Sequence, residues 1–193
     1  MRTIVFFLEE PSAREMLKGL LPRVLPSDVV PYFVVFEGKQ DLEKQLQRKL
    51  RGWQVPNSMI VVLRDQDAGD CEKIKSKLAA TCQKAGRPES LVRIACRELE
   101  SWYLGDLAAV ERALGLKNLS RFQSRRRFIE PDKIVHPFDE LGQLTKQAYQ
   151  KVAGSRAIGP ELSLTENRSH SFVVLLNGIR RLISRAEPGA SPN

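Results

Sequence analysis

Four times in the first 115 residues, a short apolar run gives way to a stretch with helical spacing. The runs are TIVFFL (3–8), VVPYFVVFEG (29–38), MIVVL (59–63) and LVRIAC (91–96). Between them, apolar residues recur every three or four positions. The first set is Ala13, Met16, Leu17, Leu20, Leu21 and Val24, the second Leu42, Leu46 and Leu50, the third Cys71, Ile74, Leu78, Cys82 and Ala85. After the fourth run, Leu99, Trp102, Tyr103, Val110 and Leu114 predict one helix over 98–115. Continuous apolar runs are strands buried on both faces, and their alternation with helices defines βαβ units. The chain is therefore expected to be an α/β protein with a parallel sheet of about four strands flanked by helices. Ser12 and Glu15, just after Pro11, have the spacing of a capping box at the start of the first helix.

The pattern changes after residue 115. Residues 117–138 are polar and basic, contain Pro131 and Pro137, and read as a loop or a partly ordered segment. Two amphipathic helices follow, one on Leu141, Leu144, Ala148 and Val152, the other on Phe172, Leu175, Leu176, Ile179 and Ile183. The expected organisation is an α/β domain (1–115), a basic loop and helical extension packed on it (116–185), and a disordered tail (186–193). The net charge is +8, and the four arginines of RFQSRRR, Arg121, Arg125, Arg126 and Arg127, surround Phe122. Such a segment suits a phosphate backbone, although a charge run is also the ordinary form of a solvated loop. Lys146, Lys151, Arg156 and Arg168 extend the basic character.

No apolar run approaches the roughly 20 residues that span a bilayer. Only five apolar residues precede Glu9 and Glu10, which does not make a signal peptide. A cytoplasmic protein with no membrane partner is expected. The three cysteines lack any CxxC pairing and the two histidines lie far apart, which disfavours zinc and marks the thiols as reduced core residues.

Carboxylates gather where the apolar runs stop. Glu9 and Glu10 follow the first, Asp65 and Asp67 the third, Glu98 and Glu100 the fourth. In an open parallel sheet, ligands bind at the carboxyl ends of the strands. If the first and third strands are neighbours, at least three carboxylates meet on one edge, and residues two apart in extended chain point the same way. Such a cluster is costly unless a proton or a cation relieves it, and Mg²⁺ or Mn²⁺ bound to Glu9, Asp65, Asp67, Glu98 and Glu100 would do so. The competing reading is a turn, with Asp70 capping the next helix and the acids after the fourth strand favoured by a helix dipole. Lys39, after the second strand, could contact phosphate, and Arg64 could face phosphate or pair with an acid.

A strand ending in glutamate, a helix, and a later strand ending in Asp65-Gln66-Asp67 together resemble the Toprim domain of topoisomerases, primases and OLD-type nucleases. The usual glycine after the glutamate is here Glu10. FFLEEPSAREML, FEGKQDLEK, LRDQDAGDC, RIACRELESWYLGD and the late IGPELSL and SHSFVVLLNGI resemble a Toprim-like domain of unknown function, DUF4276. The resemblance implies a Toprim-like fold with a helical basic carboxyl-terminal extension. It implies a Mg²⁺- or Mn²⁺-dependent nuclease with Glu9, Asp65 and Asp67 in the catalytic site, nucleic acid as substrate, and an ATPase partner in a bacterial defence setting. Two other classes fit the same residues. One is a non-catalytic subunit of an ATPase. The other is a receiver-like phosphoacceptor, against which stands the lack of a fifth strand ending in lysine.

Overall fold

The computed structural model describes residues 1–186. The expected tail lies outside the described residues except for Ala186, which ends the last helix. Four strands, β1 (Arg2–Leu8), β2 (Val29–Val35), β3 (Met59–Asp65) and β4 (Leu91–Ala95), form one sheet in the order β2-β1-β3-β4. Every pairing is parallel. The expected α/β class is what is observed.

Strand parity explains why each run is apolar throughout. Ile4, Phe6, Leu8, Val61 and Leu63 face a large core, while Val5, Phe7, Ile60 and Val62 face a smaller one. Helices α2 (Lys39–Gly52) and α3 (Cys71–Lys84) close the smaller core with Leu42, Leu46, Leu50, Leu78 and Cys82. The larger core takes α1 (Pro11–Leu20), α4 (Glu100–Leu104), α5 (Leu107–Ala113), α6 (Pro137–Leu144), α7 (Lys151–Ile158) and α8 (His170–Arg185). Residues from before and after position 115 thus share one core. Among the described residues, no helix is long and apolar enough to cross a membrane.

Several local expectations are corrected. The helix expected over 98–115 breaks at Gly105–Asp106, because the Asp106 carboxylate accepts from Ala109 N at the start of α5 and from Ser163 N of a distant loop. Pro11 is the first residue of α1, so Ser12 cannot cap it. Ser12 instead donates to Glu10, and Glu15 is buried with Arg14, Lys18 and Arg156 around it. The 117–138 segment takes the partly ordered form of the two expected, with three 3-10 turns at Ser120–Ser124, Arg126–Phe128 and Pro131–Lys133. The helix expected through Val152 is two helices, with left-handed Lys146 and Gln147 between them and Val152 exposed. Of the three free thiols, only Cys82 is fully buried.

Candidate functional site

The strand order reverses between β1 and β3, since the chain moves outward from β1 to β2 and then returns to β3 on the other side. Such a switch point opens a crevice at the carboxyl ends of the two strands. Glu9 and Asp65 flank it. Backbone bonds carry the ladder past the strand ends: Glu9 N donates to Leu63 O, Gly38 N to Glu9 O, Gln66 N to Ala95 O and Asp67 N to Arg97 O. The acidic turns are therefore fixed parts of the sheet edge. Gly38, at φ 97°, occupies a conformation that suits glycine, and Asp67, at φ 54°, one that Asp tolerates.

Glu9 is 7% exposed, and its Oε2 accepts from Asp65 N at 3.1 Å. Burial, together with the charges of Asp67 and Glu10, raises its carboxyl to about 7 against the pull of Asp65 N–H and Arg64. Asp65 continues the parity of Val61 and Leu63 and so faces the α1 and α4 side. Burial raises its pKa well above the carboxylate range, and the charges of Glu100, Glu9 and Glu10 add to the shift. Glu100 is fully buried at the start of α4, and burial raises it too. Its Oε1 accepts from Tyr149 OH at 2.8 Å, while its buried Oε2 has no hydrogen-bond partner.

Lys151, at the start of α7, answers this negative charge. Its ammonium lies 2.6 Å from Glu10 Oε2, and although burial disfavours the cation, Glu10, Glu100 and Asp65 together raise its pKa. Sequence reasoning placed Lys151 in a basic patch. Only the packing of α7 on α1 gives its true address, so no local signal could have found it.

The structure brings Glu9, Asp65 and Glu100 together, with Glu10 beside them. Asp67 does not share Asp65's side. The left-handed turn breaks the two-residue alternation, and Asp67 pairs with Lys39 at 2.8 Å. Glu98 accepts from Phe138 N at the start of α6 and adds its charge to that around Glu100. Arg64 pairs with Glu43 and lies 3.7 Å from Glu9, which is the acid-pairing alternative. Arg121 and Arg125 stack over Phe122 at 5.0 and 4.0 Å, and Arg127 pairs with Glu140. Trp102 is buried, as expected of a core residue.

Among the described residues, no three acidic, histidine or cysteine side chains already stand at metal-ligand spacing. The donor chemistry nevertheless fits a hard divalent cation. The converging groups are carboxylates, burial raises their pKa values, and one buried Glu100 oxygen has no partner.

Fold and site define a class: a parallel α/β protein with an acidic crevice at the β1/β3 switch point. The family model of a domain of unknown function (DUF4276) matches residues 8–180, and the chain belongs to that family. Comparison with curated proteins and with solved structures gives no match.

Proposed function

We propose that this chain is a Mg²⁺- or Mn²⁺-dependent phosphodiester hydrolase acting on DNA or RNA, in the manner of Toprim-type nucleases. The observation that carries this reading is the grouping of Glu9 and Asp65, from the carboxyl ends of β1 and β3 at the switch point, with Glu100 from the start of α4, each with a raised pKa. Glu9 and Asp65 would hold the cation, with Glu100 as the buried third carboxylate and Glu98 behind it. The bound cation would offset the carboxylate repulsion and supply Lewis-acid activation at the phosphoryl group. Glu9 serves here as a cation ligand, and its carboxyl, raised to about 7 in the cation-free chain, makes cation binding strengthen as the pH rises. Lys39 and Arg64, on the Asp67 side, supply positive charge where phosphate oxygens would lie. An ATPase partner that delivers the strand belongs to the same proposal and rests on the family resemblance alone.

One observation favours a second reading, that of a non-catalytic partner subunit. The Glu10–Lys151 pair already neutralises part of the cluster, and Glu10 stands where the Toprim pattern has glycine. Manganese titration calorimetry at pH 8, with and without oligonucleotide, separates the two. Wild type is expected to bind Mn²⁺ and cleave nucleic acid in its presence. The Glu9→Gln/Asp65→Asn double variant is expected to remain folded, because the introduced side-chain amide keeps an oxygen acceptor for Asp65 N. It is expected to bind more than about tenfold weaker and to lose cleavage. A wild type that neither binds Mn²⁺ nor cleaves, even with oligonucleotide present, would leave the partner-subunit reading.

A further inference from the structure

A cleft runs between α2 and α3 beside the acidic crevice, floored by Arg64 and the turn after β3. Its charged residues are Lys39, Arg64, Lys73 and Lys77 against Glu43 and Asp67. We infer that this cleft is a phosphate subsite that holds a nucleic-acid strand alongside the crevice, an assignment that rests on the phosphodiester-hydrolase reading above.

Two features of the cleft are unfavourable to the folded chain by itself. Lys73 and Lys77 lie four residues apart on α3, so two like charges share one helix face. Lys73 also sits in the first turn, at the positive end of the helix dipole, where a cation is disfavoured. Glu43 pairs with Lys77 and Arg64, but no carboxylate pairs with Lys73 among the described residues. Arg64 is 7% exposed, and its buried Nε has no hydrogen-bond partner, the nearest carboxylate oxygen being Glu9 Oε2 at 3.7 Å. An incoming phosphate at the cleft surface would give Lys73 a partner and offset the repulsion between Lys73 and Lys77. The cleft is shallow and open to solvent, a shape that suits a continuous strand better than an enclosed small molecule. Arg64 borders both cleft and crevice, so a strand held by the lysines would pass directly to Glu9 and Asp65.

The test is fluorescence anisotropy with short labelled single-stranded DNA and RNA in EDTA, over a range of salt. Lys73→Ala/Lys77→Ala is expected to weaken binding at least about tenfold and to lower the slope of log affinity against log salt by about 1.4, some 0.7 per lost contact. Its Mn²⁺ binding is expected to match wild type, and its unfolding midpoint to be no lower. Unchanged affinity in this variant, loss confined to Arg125→Ala/Arg126→Ala, or no strand binding by wild type would each overturn the assignment. Because EDTA removes cations, the assay reads the cleft independently of the crevice. Intact strand binding in a chain that fails to bind Mn²⁺ would reject the metal reading while keeping the cleft.

Discussion

Trp102→Ala is expected to lose about 3–5 kcal/mol of folding stability, read from urea denaturation. For a domain whose total stability is about 5–15 kcal/mol, that is a large share. Trp102 is fully buried in the larger core, with its ring 5.5 Å from that of Phe172. Its Nε1 donates to Ser171 Oγ at 2.8 Å, which ties α4 to the first turn of α8. Asp132 completes that junction by accepting from Ser169 Oγ and Ser171 N. Alanine would leave a cavity and remove one hydrogen bond from the Ser171 hydroxyl, which keeps Cys96 N and Ser169 Oγ as partners. Trp102→Phe retains most of the apolar volume and is expected to lose only about 1–2 kcal/mol. The exposed Val173→Ala, on α8 itself, is expected to change little. Trp102 lies two residues after Glu100, so Mn²⁺ affinity is expected to fall with the packing of α4. A loss below about 1 kcal/mol in Trp102→Ala would refute the role of this contact.

What the sequence made legible follows from which interactions are local. Strands buried on both faces have no polar alternation, so TIVFFL and MIVVL could be read directly. Phe172, Leu175, Leu176, Ile179 and Ile183 mark the buried face of α8 by spacing alone, and all five are buried. The acids at the strand ends were also visible. Their grouping was not, because it depends on β1 and β3 being neighbours and on one left-handed residue. Asp67 breaks the alternation, so the DxD acids separate and Glu100 takes the place beside Asp65. Long-range polar partners were equally hidden. Nothing near Asp106 announces that Ser163 N will bond to it and help divide the helix. Lys151 looks like any surface lysine until α7 packs on α1 and brings it to Glu10.

Stability is expected to fall as the pH rises from 4.5 to above 7, the reverse of ordinary acid sensitivity. The group responsible is Glu9, whose carboxyl rises from 4.5 to about 7 on folding, chiefly through burial. Between those values the folded chain keeps a proton that the unfolded chain has released, so each step up in pH favours unfolding. A shift of that size corresponds to about 3 kcal/mol, fully lost once Glu9 ionises. Asp65 and Glu100 are raised too and act in the same direction, so the cluster titrates as a unit. Glu15 acts oppositely in a different window. Its bond to Arg156 lowers it to about 2, so its contribution is present above 4.5 and lost as the pH falls toward 2. Together they place the stability maximum on the acid side of neutral. Urea midpoints measured from pH 4.5 to 8, in EDTA at constant ionic strength, are expected to fall for wild type and to fall less steeply in Glu9→Gln, where Asp65 and Glu100 still titrate. At pH 8 the variant is expected to be the more stable protein, by up to about 3 kcal/mol, while losing Mn²⁺ binding. Added Mn²⁺ is expected to stabilise wild type increasingly as the pH rises, since the ligands must shed their protons to bind it. Parallel pH profiles for wild type and Glu9→Gln would show that Glu9 is an ordinary carboxylate and overturn its part in the crevice.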